Sequence, residues 1–192
     1  MSKQLLLLAC LVLAACSSAD DDSMTTDVPK APAQVDPARI AEQQAAAEAN
    51  RLGNLWVYQG VTMKEGVQHS ASIYSRTVPV EEGEIPPIAD AQLVLRDHPS
   101  WGRSAYLLLA QSHFACGKPC AMTIAFDDGE PKRFAGTQAD SGKGPALFIE
   151  NEAGFIAALK QAKTLHIVLP KGSGFVSTLT FEVGGYDSRQ YH

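Results

Sequence analysis

Near the C-terminal end, Leu179, Phe181 and Val183 alternate with Thr180 and Glu182. A two-residue period puts one row of side chains on each face of a strand and does not fit a helix. The same period recurs upstream. Ala71 and Ile73 oppose Ser70, Ser72, Tyr74 and Arg76; Leu93 and Leu95 oppose Gln92 and Arg96. Met122, Ile124 and Phe126 share the inward side of 121–127, and Trp56 and Tyr58 share a face within 55–62. Residues 104–112 are apolar on both faces, which marks a central strand. Segments 132–135, 146–150, 164–170 and 175–184 complete about eight or nine short strands. One helix interrupts them: Asn151 can N-cap 152–162, where Phe155, Ile156 and Leu159 stand at helical spacing. Short strands separated by turn signals, with a single helix, give a mainly β fold. The expected architecture is an antiparallel β-sandwich over 54–192.

The rest of the 192 residues has a different character. Met1 to Gln4 carries one positive charge, and Leu5 to Ala15 is an unbroken apolar run. Eleven residues fall short of the roughly 20 needed to span a bilayer, but match the apolar part of a secretory signal. The run ends Leu13-Ala14-Ala15-Cys16, followed by Ser17. This resembles the lipobox of bacterial lipoproteins. The resemblance implies a signal peptide over 1–15, diacylglycerol on Cys16 and cleavage before it. Ser17, in place of an Asp, implies the outer membrane, with the domain facing the periplasm. A lipid anchor is physically sufficient, since each buried methylene contributes about 0.8 kcal/mol and several acyl chains hold firmly.

Residues 16–36 are expected to form a disordered tether, rich in Ser, Thr, Asp and Pro and poor in groups that could offset the entropy of ordering. Asp36 can N-cap a helix with Pro37 in its first turn, and 39–52 is built from Ala, Gln and Glu. Gly53 stands where a left-handed C-cap is expected. The thin apolar face (Ile40, Ala47, Leu52) suits a stalk helix over 37–53.

The formal charge of −5 excludes the basic patch that nucleic acid requires and electrostatic docking on anionic lipid. The acidity sits in the tether: 17–53 holds 7 acids against 3 bases, whereas 54–192 holds 14 against 12.

Four cysteines are present. Cys10 leaves with the signal and Cys16 takes lipid, which leaves Cys116 and Cys120 in an oxidising compartment. Gly117 and Pro119 favour a turn between them, so the expected state is a disulfide clamping that turn. The alternative is chemical. The C-x₃-C spacing resembles the motif of periplasmic copper-delivery proteins, with His113 or His166 as a further ligand.

Other constellations read as structure. Residues 136–144 lack the spacing of a phosphate loop, and Gly172-Ser173-Gly174 lacks that of a nucleophile elbow. Asp127 to Glu130 reads as a hairpin turn, with calcium the lesser reading, and His166 as an outward polar residue. The loop from Arg96 to Arg103 is richer, holding charge, an imidazole and Trp101 within eight residues. Trp and Arg dominate interface hot spots, so Arg96, His98, Trp101, Arg103 and Lys118 are the candidate interaction residues.

Trp56, the Ala71-x-Ile73-x-Ser75 run, Leu93-x-Leu95-Arg96, Tyr106, Phe114-x-Cys116, Cys120 and Phe126-Asp127 together resemble a pattern in proteobacterial lipoproteins of unassigned function. More distantly they are similar to accessory envelope proteins of type VI secretion, the VasI/TagO group. No catalytic residue, metal or cofactor is implied. The expected function is a lipid-anchored binding module for another envelope protein: an accessory, an inhibitor or an immunity protein. Neither nucleic acid nor a small molecule is the expected ligand. The alternatives are a small-ligand or copper-binding lipoprotein using Cys116, Cys120 and His113, and a cell-wall hydrolase around Asp97, His98 and Glu150.

Overall fold

The computed structural model describes residues 36–76, 90–110, 114–115, 120–138, 146–170 and 178–191. Cys10, Cys16, His113, Cys116, Lys118 and the 172–174 turn lie outside the described residues, as do the expected signal peptide and nearly all of the expected tether.

Helix α1 spans Pro37–Gly53, as the sequence indicates. Asp36 caps it by accepting from the Ala38 N–H at 3.0 Å, and no residue of the helix is buried. Gly53 departs from expectation, because it is not left-handed. The helix runs on into Asn54, whose right-handed backbone (φ −72°, ψ −10°) donates to the Asn50 carbonyl. Leu55 and Trp56 then donate to Leu52 and Gly53. The chain leaves through tightened right-handed turns, so no reversal has to be supplied at Gly53.

Among the described residues nine strands follow: β1 Val57–Met63, β2 Gly66–Tyr74, β3 Ala91–His98, β4 Gly102–Leu109, β5 Cys120–Phe126, β6 Lys132–Gln138, β7 Ala146–Ile149, β8 Leu165–Val168 and β9 Thr178–Phe181. Helix α2, Glu152–Leu159, separates β7 from β8, and a 3-10 turn spans Ser188–Tyr191. The fold is mainly β and wholly antiparallel. Its strands lie in one continuous sheet of order β1-β2-β3-β4-β7-β6-β5-β8-β9. What the alternation suggested as a sandwich is this single sheet curled into a half-barrel. The ends approach each other just beyond β2, where the Arg76 N–H donates to the Thr180 carbonyl of β9 at 2.7 Å.

Register assigns the faces, since paired residues share a side and i, i+2 repeat it. The concave side carries Ala71, Leu93, Leu95, Ala105, Leu107, Leu147, Met122, Ile124, Ile167, Leu179 and Phe181, all buried. Phe155, Ile156 and Leu159 of α2 join that core, with Phe155 against Phe126 and Phe134. Trp56 and Tyr186 extend it, their rings 5.0 Å apart, and the Trp56 indole donates to the Val183 carbonyl.

The 127–130 turn is real and does more than reverse the chain. Asp127 adopts a left-handed φ of 50°, and its carboxylate accepts from the Lys163 and Thr164 N–H groups at 2.8 and 2.9 Å. That pins the exit of α2 to the β5–β6 turn. His166 faces outward as expected and meets the Thr180 hydroxyl at 3.2 Å.

Candidate functional site

The convex side of β1 to β4 consists of alternate positions. These are Val57, Gln59, Val61 and Met63 on β1; Gln68, Ser70, Ser72 and Tyr74 on β2; Gln92, Val94, Arg96 and His98 on β3; and Ser104, Tyr106 and Leu108 on β4. Phe148 of β7 continues the row beside Tyr106. Among the described residues eight large apolar side chains are exposed. Five of them (Val57, Val61, Met63, Tyr74 and Trp101) gather on this side. Clustered apolar exposure on one face is the signature of a contact surface, whereas scattered exposure needs no explanation.

The β3–β4 turn organises one end of this face. The chain reverses over Pro99, Ser100 and Trp101, and Gly102 takes the left-handed φ of 71° that closes such a turn. His98 is only 4% exposed. Its Nδ1 accepts from the Ser100 N–H at 3.0 Å and the Trp101 N–H at 3.3 Å. The imidazole therefore shapes the turn, with Nδ1 unprotonated. Trp101 is 72% exposed, yet it lies flat on that imidazole, with centroids 3.9 Å apart and planes at 13°.

Arg96 is held between two rings. Its Cζ lies 5.5 Å from the Trp101 ring and 5.4 Å from the Tyr106 ring, both within cation–π range. Tyr106 in turn packs on Phe148 at 5.1 Å. Burial pushes the Tyr106 hydroxyl above the usual phenol range, partly offset by the Arg96 cation. The result is a ladder of Trp101, Arg96, Tyr106 and Phe148 across three strands.

The structure therefore divides the candidate residues. Arg96, His98 and Trp101 come together. Arg103 does not join them, because its register partner is Asp97 on the concave side, where the two form a 3.4 Å ion pair. The reason is parity: Arg103 is an odd number of residues from Ser104 and Tyr106, so the pleat sends it through the sheet. Lys118 lies outside the described residues. Tyr106 and Phe148 were not nominated as site residues, since only the β4–β7 pairing puts them beside Arg96.

Asp97, His98 and Glu150 do not converge. Asp97 and His98 face opposite sides of the sheet, and the Glu150 carboxylate accepts from the Thr137 hydroxyl at 2.7 Å. For the copper alternative, Cys120 opens β5 in a buried position opposite Gly136, while Cys116 and His113 are not described. Among the described residues no group of three or more His, Cys, Asp or Glu side chains is placed to hold a metal ion. No described helix is long and apolar enough to cross a membrane.

A shallow groove of about 480 Å³ lies near the sheet's seam, lined by Asn54, Leu55, Val57, Tyr74, Arg76 and Glu182 among others. Glu182 bridges Arg51 at 2.9 Å and Arg76 at 3.6 Å, so its charge is already engaged.

No family model matches the chain, and no curated protein matches it. Among solved structures it is similar to invasion associated protein B from Bartonella henselae, at 15% identity and a TM-score of 0.42, over 68% of this chain and 85% of that one.

Proposed function

We propose that this chain is a binding module of the bacterial envelope that docks another protein on the convex face of β1 to β4. The observation that carries this reading is the presence of five exposed apolar side chains on one face, among them Trp101, pre-stacked on His98. A partner laid there would meet an aromatic anchor already fixed by His98, so little side-chain entropy would be lost on binding. The convex, half-polar surface suits a protein partner, and Trp101 beside Arg96 matches hot-spot chemistry.

The module is tethered through lipidated Cys16 to the outer membrane and faces the periplasm. Its role is that of an accessory, inhibitor or immunity protein, in keeping with the resemblance to type VI secretion accessory proteins. A Cys116–Cys120 disulfide clamps the turn that leads into β5.

The test is site-specific photo-crosslinking in cells, with a photoreactive residue at position 101 or at position 168, an exposed valine on β8. A discrete envelope-protein adduct from 101 but not from 168 is expected. Identical adduct patterns from both positions would remove the convex face of β1 to β4 as the docking surface. Incorporation of labelled palmitate that is lost in Cys16→Ser tests the anchor independently.

A further inference from the structure

Resting on that reading of the convex face, we propose that the partner's docking segment is acidic and that one of its carboxylates seats on Arg96, beside Ser104.

Three observations converge. The first is an unmet donor. The Arg96 Nε is shut off from solvent and makes no hydrogen bond, and the same is true of the Ser104 hydroxyl, which lies directly across the strand pair. A guanidinium is always charged and always a donor; with its Nε closed off, an incoming carboxylate meets the terminal N–H groups of the fork, which are not closed to solvent. Arg51, Arg76, Arg103 and Arg189 each hold a carboxylate of the chain.

The second is charge. The strand positions on the convex side of β1 to β4 include no Asp or Glu, and Arg96 is their only Arg or Lys. Among the described residues no carboxylate of this chain pairs with Arg96, which leaves that place to an acid from a partner. A lone cation beside Ser70, Ser104, Trp101 and Tyr106 also differs from the basic clusters that anionic lipid recruits, which favours a protein segment over a membrane.

The third is pre-organisation. Trp101 and Tyr106 fix the guanidinium from either side. A planar fork held in place matches a carboxylate through paired hydrogen bonds, at a smaller entropy cost than a free side chain would incur. The apolar flanks keep competing water from the pair, which strengthens it.

The experiment selects 12-residue peptides from a phage-displayed library against the full mature protein. The winners are synthesised with each Asp or Glu kept or changed to its amide, and binding is measured by fluorescence anisotropy. Peptides that need Trp101 should share one acidic position. Its amide should bind about tenfold more weakly or worse, as expected for a lost hydrogen bond to a charged group. Arg96→Gln should lose that distinction between acid and amide, while Arg96→Lys keeps part of it. Circular dichroism melting confirms that both variants fold, and the side-chain Nε–H signal of Arg96 in the native protein should move with the acidic peptide only.

Peptides that depend on Trp101 yet tolerate the amide change would overturn the carboxylate inference and leave the docking reading standing. Selection of no Trp101-dependent peptide would overturn both. Binding to phosphatidylglycerol vesicles but not phosphatidylcholine vesicles, lost in Arg96→Gln, with no acidic peptide selected, would overturn the proposal in favour of a lipid.

Discussion

Gly53 and Gly185 face each other where α1 meets the domain, and alanine should act in opposite directions at the two. A Cβ on Gly185 would fall closer than 3.0 Å to backbone atoms of Leu52 and Gly53, a distance real Cβ atoms do not show. Backbone cannot rotate out of the way as a side-chain tip can. Either the 184–185 turn shifts or the end of α1 lifts off. The first is overpacking, which costs about 1–3 kcal/mol. The second gives up the Arg51–Glu182 pair and the Leu52 contact with Gly184. That pair is half exposed and contributes about 0–1 kcal/mol, so the total loss is of similar size. At about 2–4 °C per kcal/mol for a unit of this size, Gly185→Ala should melt roughly 2–12 °C lower. A Cβ on Gly53 meets nothing within 4 Å, and its backbone is not left-handed. Gly53→Ala therefore removes unfolded-chain entropy at a helical position and should stabilise by about 0.5–1 kcal/mol. Thermal melts of both variants followed by circular dichroism provide the assay. If Gly53→Ala destabilises while Gly185→Ala has no effect, the helix end is left-handed and undocked, and the reasoning fails.

Other outcomes follow from single groups. His98→Ala should lower the urea midpoint by an amount corresponding to about 1–2 kcal/mol, because the Ser100 and Trp101 N–H groups lose their acceptor, and Trp101 emission should shift to the red. Burial, aided by the Tyr58 hydroxyl, pushes Tyr186 up to about 12. Its folded value lies above the unfolded one near 10, so the contribution of this group should be constant below about pH 10 and be lost as pH rises toward 12. Denaturant midpoints across that range should show the fall, with a shallower slope in Tyr186→Phe. The same variant should be neutral or slightly stabilising at pH 7, since the Tyr186 hydroxyl is buried without a hydrogen bond. Thiol titration of the denatured mature protein without reductant should find no free thiol from Cys116 and Cys120, and two after reduction; two before reduction would exclude the disulfide.

Much of the fold was legible locally. The inward sets Ala71/Ile73, Leu93/Leu95 and Met122/Ile124/Phe126 could be read because period-2 burial leaves its mark within a single strand. Asp36 and Asn151 were legible as caps because a short polar side chain satisfies an orphan N–H within three residues. The central loop of the site was legible too, since Arg96, His98 and Trp101 are near neighbours in sequence. Gly53 was misread because the preference for a left-handed glycine applies only where the chain must reverse, and here it continues into right-handed turns.

What the sequence determined by itself is therefore of short range: strand periodicity, caps, turns, the one helix among the strands, and the concentration of acid before residue 54. What only the tertiary structure decided depends on residues far apart in the chain. Strand order brought Phe148 to Tyr106 and closed β9 onto Arg76, turning an expected sandwich into one curled sheet. Register sent Arg103 to the concave side and Arg96 to the convex side, where no carboxylate among the described residues answers it. Local alternation says that a strand has two faces. Which face is buried, and what lies across it, is fixed only when distant strands pair and their apolar rows meet.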